Sequence, residues 1–195
     1  MWNYGALLIA YFLGAIPFAY LVGRMKNIDI RTQGSGNVGA TNTWRLLGAK
    51  YGALVLLGDT LKGVLATALC LYLVGPWGAV GGGILAILGH MRNPFLGFKS
   101  TGKGVATGFG VIIVLIPTIS FIAAAIFVVV VLVTRYVSLG STIGVLSVVA
   151  QTIFTPLPLP YKIFIFSASA LILFRHRANY QRLLNGTESR LKLWK

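Results

Sequence analysis

Residues 119–134 read ISFIAAAIFVVVVLVT, a run without one charged side chain. A helix of this composition has no face to offer water. About 20 such residues cross the hydrocarbon core of a bilayer, roughly 30 Å thick. Further apolar runs fall at about 4–23, 52–74, 77–90, 104–117, 138–155 and 161–174. In hydrocarbon each backbone N–H and C=O must be satisfied within the protein, which leaves helices as the natural reading of these runs. The chain is 56% hydrophobic and only 10% charged, where soluble domains carry about 25% charged residues. These features predict an all-α, polytopic membrane helical bundle: a single domain over 1–195 with about seven transmembrane segments. The runs at 77–90 and 104–117 are short and glycine-rich, as broken or tilted helices are when they are buried in protein or line a polar cavity. The first run lacks a basic leader and is too long for a secretory signal, so it reads as a membrane helix retained in the mature protein.

Charge gives the topology. There are 17 Lys+Arg against 3 Asp+Glu, a formal charge of +14. In a membrane protein the causes to weigh are the positive-inside rule, anionic lipid and a phosphorylated substrate. The basic residues cluster at 24–51, 90–104, 135–138 and 175–195, while the connections around Pro76, Pro117 and 155–160 carry only Lys162 at an edge. Seven spans, with the N-terminus outside and the C-terminus cytoplasmic, would produce this alternation. Five spans, with the two short runs re-entrant, would keep the same loops on the same side. With Cys70 as the lone cysteine and two histidines, no cluster resembles a metal centre, and no metal or other cofactor is expected.

The loops on the basic side are also the polar ones. Residues 34–42, GSGNVGATN, offer unshielded backbone N–H groups, the hydroxyls of Ser35 and Thr41 and the amides of Asn37 and Asn42. Such a stretch suits either an anion-binding concavity or a flexible linker with a helix cap. Arg45 is expected at the start of the following helix, where dipole and guanidinium would both favour an oxyanion. The loop 89–108, GHMRNPFLGFKSTGKGVATG, contains Gly97-x-x-x-x-Gly102-Lys103. Gly104 stands where a P-loop requires Ser or Thr, and a membrane helix precedes where a strand should, which argues against an ATPase. A phosphate cradle with Lys99 and Lys103 is favoured over a turn holding two topology-setting lysines. In RYVSLGS (135–141), Ser138 and Ser141 are expected to cap the next helix. The tail from Phe174 is expected to continue the last span as a basic amphipathic stretch on anionic headgroups. There His176 and Asn179 are i, i+3 neighbours, and Arg175, Asn179 and Arg182 share a face. Asp59 and Lys62 lie three apart inside the second run and are read as a structural or site-orienting pair.

GSGNVGATNTWRLLG, DTLKG, GHMRNPFLGFKSTGKGVATG, RYVSLGS and HRANYQRLLNGTE, in this order, resemble the signature blocks of the bacterial acyl-phosphate-dependent glycerol-3-phosphate acyltransferases. The resemblance covers essentially the whole chain. One departure is local: family members usually read Phe-Lys-Gly-Gly-Lys-Gly, where this chain has the longer Phe98-Lys99-Ser100-Thr101-Gly102-Lys103-Gly104.

The resemblance implies transfer of a fatty acyl group from acyl phosphate to the 1-hydroxyl of glycerol 3-phosphate. The products are 1-acylglycerol 3-phosphate and phosphate, in the first step of phospholipid synthesis at the cytoplasmic face of a bacterial inner membrane. It implies no bound cofactor and no nucleic-acid partner. It assigns glycerol 3-phosphate to Ser35, Arg45, Lys103, His176 and Asn179, with His176, Lys103 and Ser35 closest to the chemistry. Acyl phosphate falls to Gly36, Asn37, Gly39, Thr41, Asn42, Gly102, Gly104 and Ser141. These segments are expected to meet at one inner-leaflet pocket. His176 is the one motif residue suited to act as a base at neutral pH, since His90 reads as a helix-end group. An acyl phosphate can instead take the proton on its own departing phosphate, and this substrate-assisted, direct transfer is the preferred expectation. A transporter of a phosphorylated metabolite is the rival reading; it would call for internal repeats and midplane polar residues, and neither is evident.

Overall fold

The structure, a computed structural model, describes residues 4–99 and 101–192. Ser100 and the tail residue Lys195 lie outside the described residues. The chain forms two compact units that divide between Leu115 and Ile116.

The first unit holds α1 (Tyr4–Ala15), α2 (Phe18–Met25), α3 (Ala40–Leu47), α4 (Ala49–Val74), α5 (Pro76–Met91) and α6 (Val105–Leu115). Long α4 is the axis: α1, α3, α5 and α6 all pack on it, and α1 packs on α5. The contact of α4 with α6 is reciprocal and closed. A Cβ on Gly63 would run into the Thr107 carbonyl oxygen, and one on Gly110 into the Thr60 carbonyl oxygen. Small residues that let backbones touch are the usual means of helix association where lipid offers no hydrophobic drive. At 16 and 11 residues, α5 and α6 rise only about 24 and 17 Å. Both are continuous helices, not the broken ones considered from sequence.

The second unit holds α7 (Pro117–Thr134), α8 (Val137–Phe154), α9 (Leu159–Arg175) and α10 (Arg177–Leu184). α7 packs on α8, α8 on α9, and α10 on the end of α9. Across both units large apolar side chains face outward, among them Leu57, Tyr72, Phe121 and Val133. Among the described residues, four stretches are long and apolar enough to cross a bilayer: Tyr4–Met25, Ala49–Val74, Pro117–Thr134 and Val137–Phe154. The outward apolar faces are what hydrocarbon solvates, and the chain is an all-helical integral membrane protein.

The structure corrects four expectations. The run 4–23 is not one helix, because Pro17 has no N–H to continue the ladder and the chain unwinds between Ala15 and Phe18. The exposed carbonyls are recovered by side chains: Asn93 Nδ2 donates to Ala15 O, and Lys62 Nζ donates to Ile16 O at 2.9 Å. Arg45 lies in the last turn of α3, not at its start, because the helix begins five residues earlier at Ala40. Ser138 and Ser141 do not cap α8, whose N-cap is Tyr136 without a side-chain bond; Ser138 Oγ donates to Glu188 Oε1 at 2.7 Å. The tail does not continue α9, since His176 closes that helix and opens α10.

Two outcomes follow from the packing. Gly63→Ala or Gly110→Ala forces α4 and α6 apart and costs about 2 kcal/mol or more, read as a lower Tm in detergent. The second outcome concerns Glu188, which ties residues 187–191 to α8 and α10. Burial raises its carboxyl pKa, but hydrogen bonds from Ser138, Asn179 and Arg182 outweigh this and hold it below the ordinary value of 4.5. A depressed carboxyl contributes stability above its unfolded pKa and loses it as pH falls through the folded one. Protection of α10 against hydrogen exchange therefore falls as pH drops from about 5 to about 3. Glu188→Gln loses about 1–3 kcal/mol at neutral pH and flattens that dependence.

Candidate active site

The first polar loop is shaped by one amide. Asn42 is 1% exposed; its Oδ1 accepts from Ser35 N at 3.0 Å, and its Nδ2 donates to Ile30 O and Gln33 O at 3.2 and 3.1 Å. A side-chain amide here does the work of a strand partner and folds 30–35 into a compact turn. Gly34 is required by it: φ is +60°, and a Cβ would collide with Asn42 Oδ1. Val38 anchors the far side of the loop in a core of Ala19, Val22, Ile30 and Val55. Gly39 in extended backbone then opens α3, so the first N–H groups of that helix point back toward the loop. Ser35 is exposed, Gly36, Asn37, Thr41 and Arg45 are half-buried, and Gly39 is buried. Asn42, expected at the acyl phosphate, has its amide engaged in building the loop.

The second loop folds back on the end of α5. Thr101 donates its N–H to Met91 O at 3.2 Å and its hydroxyl to His90 O, covering carbonyls the helix leaves open. Asn93 Oδ1 accepts from Phe95 N at 2.9 Å and starts a 3-10 turn at Pro94–Leu96. Gly102 and Gly104 are buried on either side of half-buried Lys103. The chain is held to a glycine at Gly102, because a Cβ would enter the His90 ring at Nε2.

The two loops approach each other at one small depression in the first unit. Val38 comes from the first loop and Asn93 and Thr101 from the second, with Asp59, Lys62 and His90 at its base. Lys62 Nζ lies 2.7 Å from Asp59 Oδ1 and 3.0 Å from His90 Nδ1, and all three side chains are under 10% exposed. The structure thus brings Asp59 and Lys62 together and adds His90 to them. Among the described residues no group of His, Cys, Asp and Glu could hold a metal ion.

In the second unit, Glu188 gathers the polar groups. Its Oε1 accepts from Ser138 Oγ and from Asn179 Nδ2, both at 2.7 Å, and its Oε2 accepts from Arg182 Nε at 2.7 Å. Leu191 N donates to Arg135 O at 2.7 Å and secures the segment. Because Asn179 gives its Nδ2 to a carboxylate, its Oδ1 is the end turned elsewhere. His176, 2% exposed, donates Nδ1–H to Ile172 O at 2.8 Å. Ser141 is buried on α8, one turn beyond Ser138. His90, Asn93 and Glu188 are the site-building residues that sequence reasoning missed. Glu188 had a signal, as one of only three acids in the chain.

A family model for glycerol-3-phosphate acyltransferase matches residues 4–186. The chain is 45% identical over 187 residues to a glycerol-3-phosphate acyltransferase of Geobacillus kaustophilus (strain HTA426), covering 95% of this chain and 94% of the relative. It is 47% identical over 188 residues to one from Thermoanaerobacter sp. (strain X514), covering 94% and 93%. Its fold is similar to the crystal structure of PlsY, an integral membrane glycerol 3-phosphate acyltransferase, in the glycerol 3-phosphate form. That match has a TM-score of 0.91 and 38% identity, over 96% of this chain and 94% of that one. The lysophosphatidic acid form matches with a TM-score of 0.88 and 38% identity, over 95% and 93%. With a family-model match over residues 4–186 and similarity along nearly its full length, the chain belongs to the glycerol-3-phosphate acyltransferase family.

Proposed function

We propose that the acyl donor is an acyl phosphate, and that transfer to the 1-hydroxyl of glycerol 3-phosphate is direct. The observation that carries this reading is the match to the glycerol-3-phosphate acyltransferase family over residues 4–186, in a chain whose two glycine-rich loops approach each other at Val38 and Thr101. Two loops rich in backbone donors suit a reaction in which both substrates carry phosphate. Ser35, Arg45 and Lys103 take the phosphate of glycerol 3-phosphate, where charge-assisted hydrogen bonds are strongest. Gly36, Asn37, Gly39, Thr41, Gly102, Gly104 and Ser141 take the acyl-phosphate headgroup, with Asn42 holding the first loop in shape. His176 and Asn179, which the family resemblance assigns to glycerol 3-phosphate, take its hydroxyl end.

The glycerol 1-oxygen attacks the acyl carbon, the carbon–oxygen bond to phosphate breaks, and the departing phosphate takes the hydroxyl proton. Carboxylic–phosphoric anhydrides are activated, so positioning and charge stabilisation suffice and no acyl-enzyme is formed. The basic loops face the cytoplasm of a bacterial inner membrane, where the positive-inside rule places them.

Purified protein in detergent, given acyl phosphate and glycerol 3-phosphate, releases phosphate only when both are present, and acyl-CoA does not replace the donor. Turnover with acyl-CoA and none with acyl phosphate contradicts the proposal. Activity without compartments also excludes transport as its cause. Lys103→Ala and Arg45→Ala each raise KM for glycerol 3-phosphate about tenfold or more, the scale of one lost charge-assisted bond. His176→Ala weakens glycerol 3-phosphate binding together with turnover; lost turnover with intact affinity would make His176 the base.

A further inference from the structure

His90 stands outside the machinery described so far, yet the structure fixes its chemistry closely. The Lys62 ammonium has three N–H donors and no lone pair. Its acceptors are Asp59 Oδ1 at 2.7 Å, Ile16 O at 2.9 Å and His90 Nδ1 at 3.0 Å. Nδ1 of His90 must therefore accept, and it cannot carry a proton. Lys62 Nζ, at 3.0 Å, is nearer to this Nδ1 than Asp59 Oδ1, at 3.6 Å. The ring is neutral with its proton on Nε2. In His176, by contrast, Nδ1 carries a proton and donates it to Ile172 O.

The Nε2 edge of His90 faces the second loop. Gly102 lies against that edge so closely that no Cβ fits. The His90 carbonyl accepts from the Thr101 hydroxyl, and the next carbonyl, Met91 O, accepts from Thr101 N. Ring and backbone of one helix end thus fix the two residues that precede Lys103.

We propose that His90 is a positioning residue for Lys103: locked by Lys62 as the Nε2–H tautomer, it sets where the Gly102–Lys103 backbone sits and hence where the Lys103 ammonium meets phosphate. Asp59 and Lys62 act through it, carrying order from the break in the first helix to the second loop. The inference rests on the phosphate role given above to Lys103.

The chain has two histidines, so ¹⁵N-histidine labelling of the full protein in detergent or nanodiscs gives two rings, assigned with a His176→Asn sample. At neutral pH the His90 ring shows a protonated Nε2 and a bare Nδ1, and Lys62→Met abolishes that preference. A protonated Nδ1 on His90, or an imidazolium, overturns the proposal. Kinetics supply the second arm. His90→Gln can place an amide N–H near the Nε2 position, whereas His90→Asn reaches only to the Nδ1 position. The proposal expects KM for glycerol 3-phosphate near wild type in His90→Gln and raised about tenfold in His90→Asn, with kcat within about threefold in both. Equal KM values in the two variants overturn it. Lys103→Ala separates the layers. An unchanged KM there refutes the phosphate role of Lys103, while a raised KM there with equal KM in the His90 pair refutes only the role of His90.

Discussion

A lysine ammonium buried at 3% exposure inside a long apolar helix is the constraint on which the first unit depends. Burying an unpaired charge at such a place costs several kcal/mol. The charge persists because every N–H of Lys62 finds an acceptor, and each acceptor belongs to a different part of the fold. Asp59 is one turn earlier on α4, Ile16 O lies at the break before Pro17, and His90 is in the last turn of α5. One ammonium thus joins the axis helix, the broken first helix and the entry to the second loop. Removing any acceptor leaves a charge with nowhere to go, which makes the arrangement specific as well as stable.

The polar side chains nearest the proposed chemistry divide into two kinds. Asn42 and Glu188 are buried hubs whose atoms are engaged with their own neighbourhoods, so they build shape. Ser35, Thr41, Arg45 and Lys103 are exposed or half-buried, on loop 34–42, α3 and the second loop. The division follows from the medium. Near hydrocarbon a loop cannot rely on water to satisfy its backbone, so amides and carboxylates must do so first.

How much was legible followed from the range of the interaction concerned. The runs 52–74, 119–134 and 138–155 foretold α4, α7 and α8 to within a few residues, because length and apolarity act locally. The break after Ala15 was not foreseen, although Pro17 was in view, because what makes the break tolerable is Lys62 and Asn93, far along the chain. Arg45 was misplaced because Gly39 ends the loop without a capping side chain, so nothing in the sequence marked the start of α3. The capping role given to Ser138 failed for a related reason: its partner Glu188 is 50 residues away. The expected Asp59–Lys62 pairing needed only helical spacing; that His90 completes it needed the fold.

The most direct test of this account is a double-mutant cycle on Asp59 and Lys62, using Asp59→Asn, Lys62→Gln and both together, with unfolding free energy measured in one detergent. Each single change should cost about 3–5 kcal/mol by stranding the other charge, and the double variant should recover at least about 2 kcal/mol of the summed loss. Single losses that add without coupling would mean that the two charges do not depend on each other, and that the first unit is organised by something else.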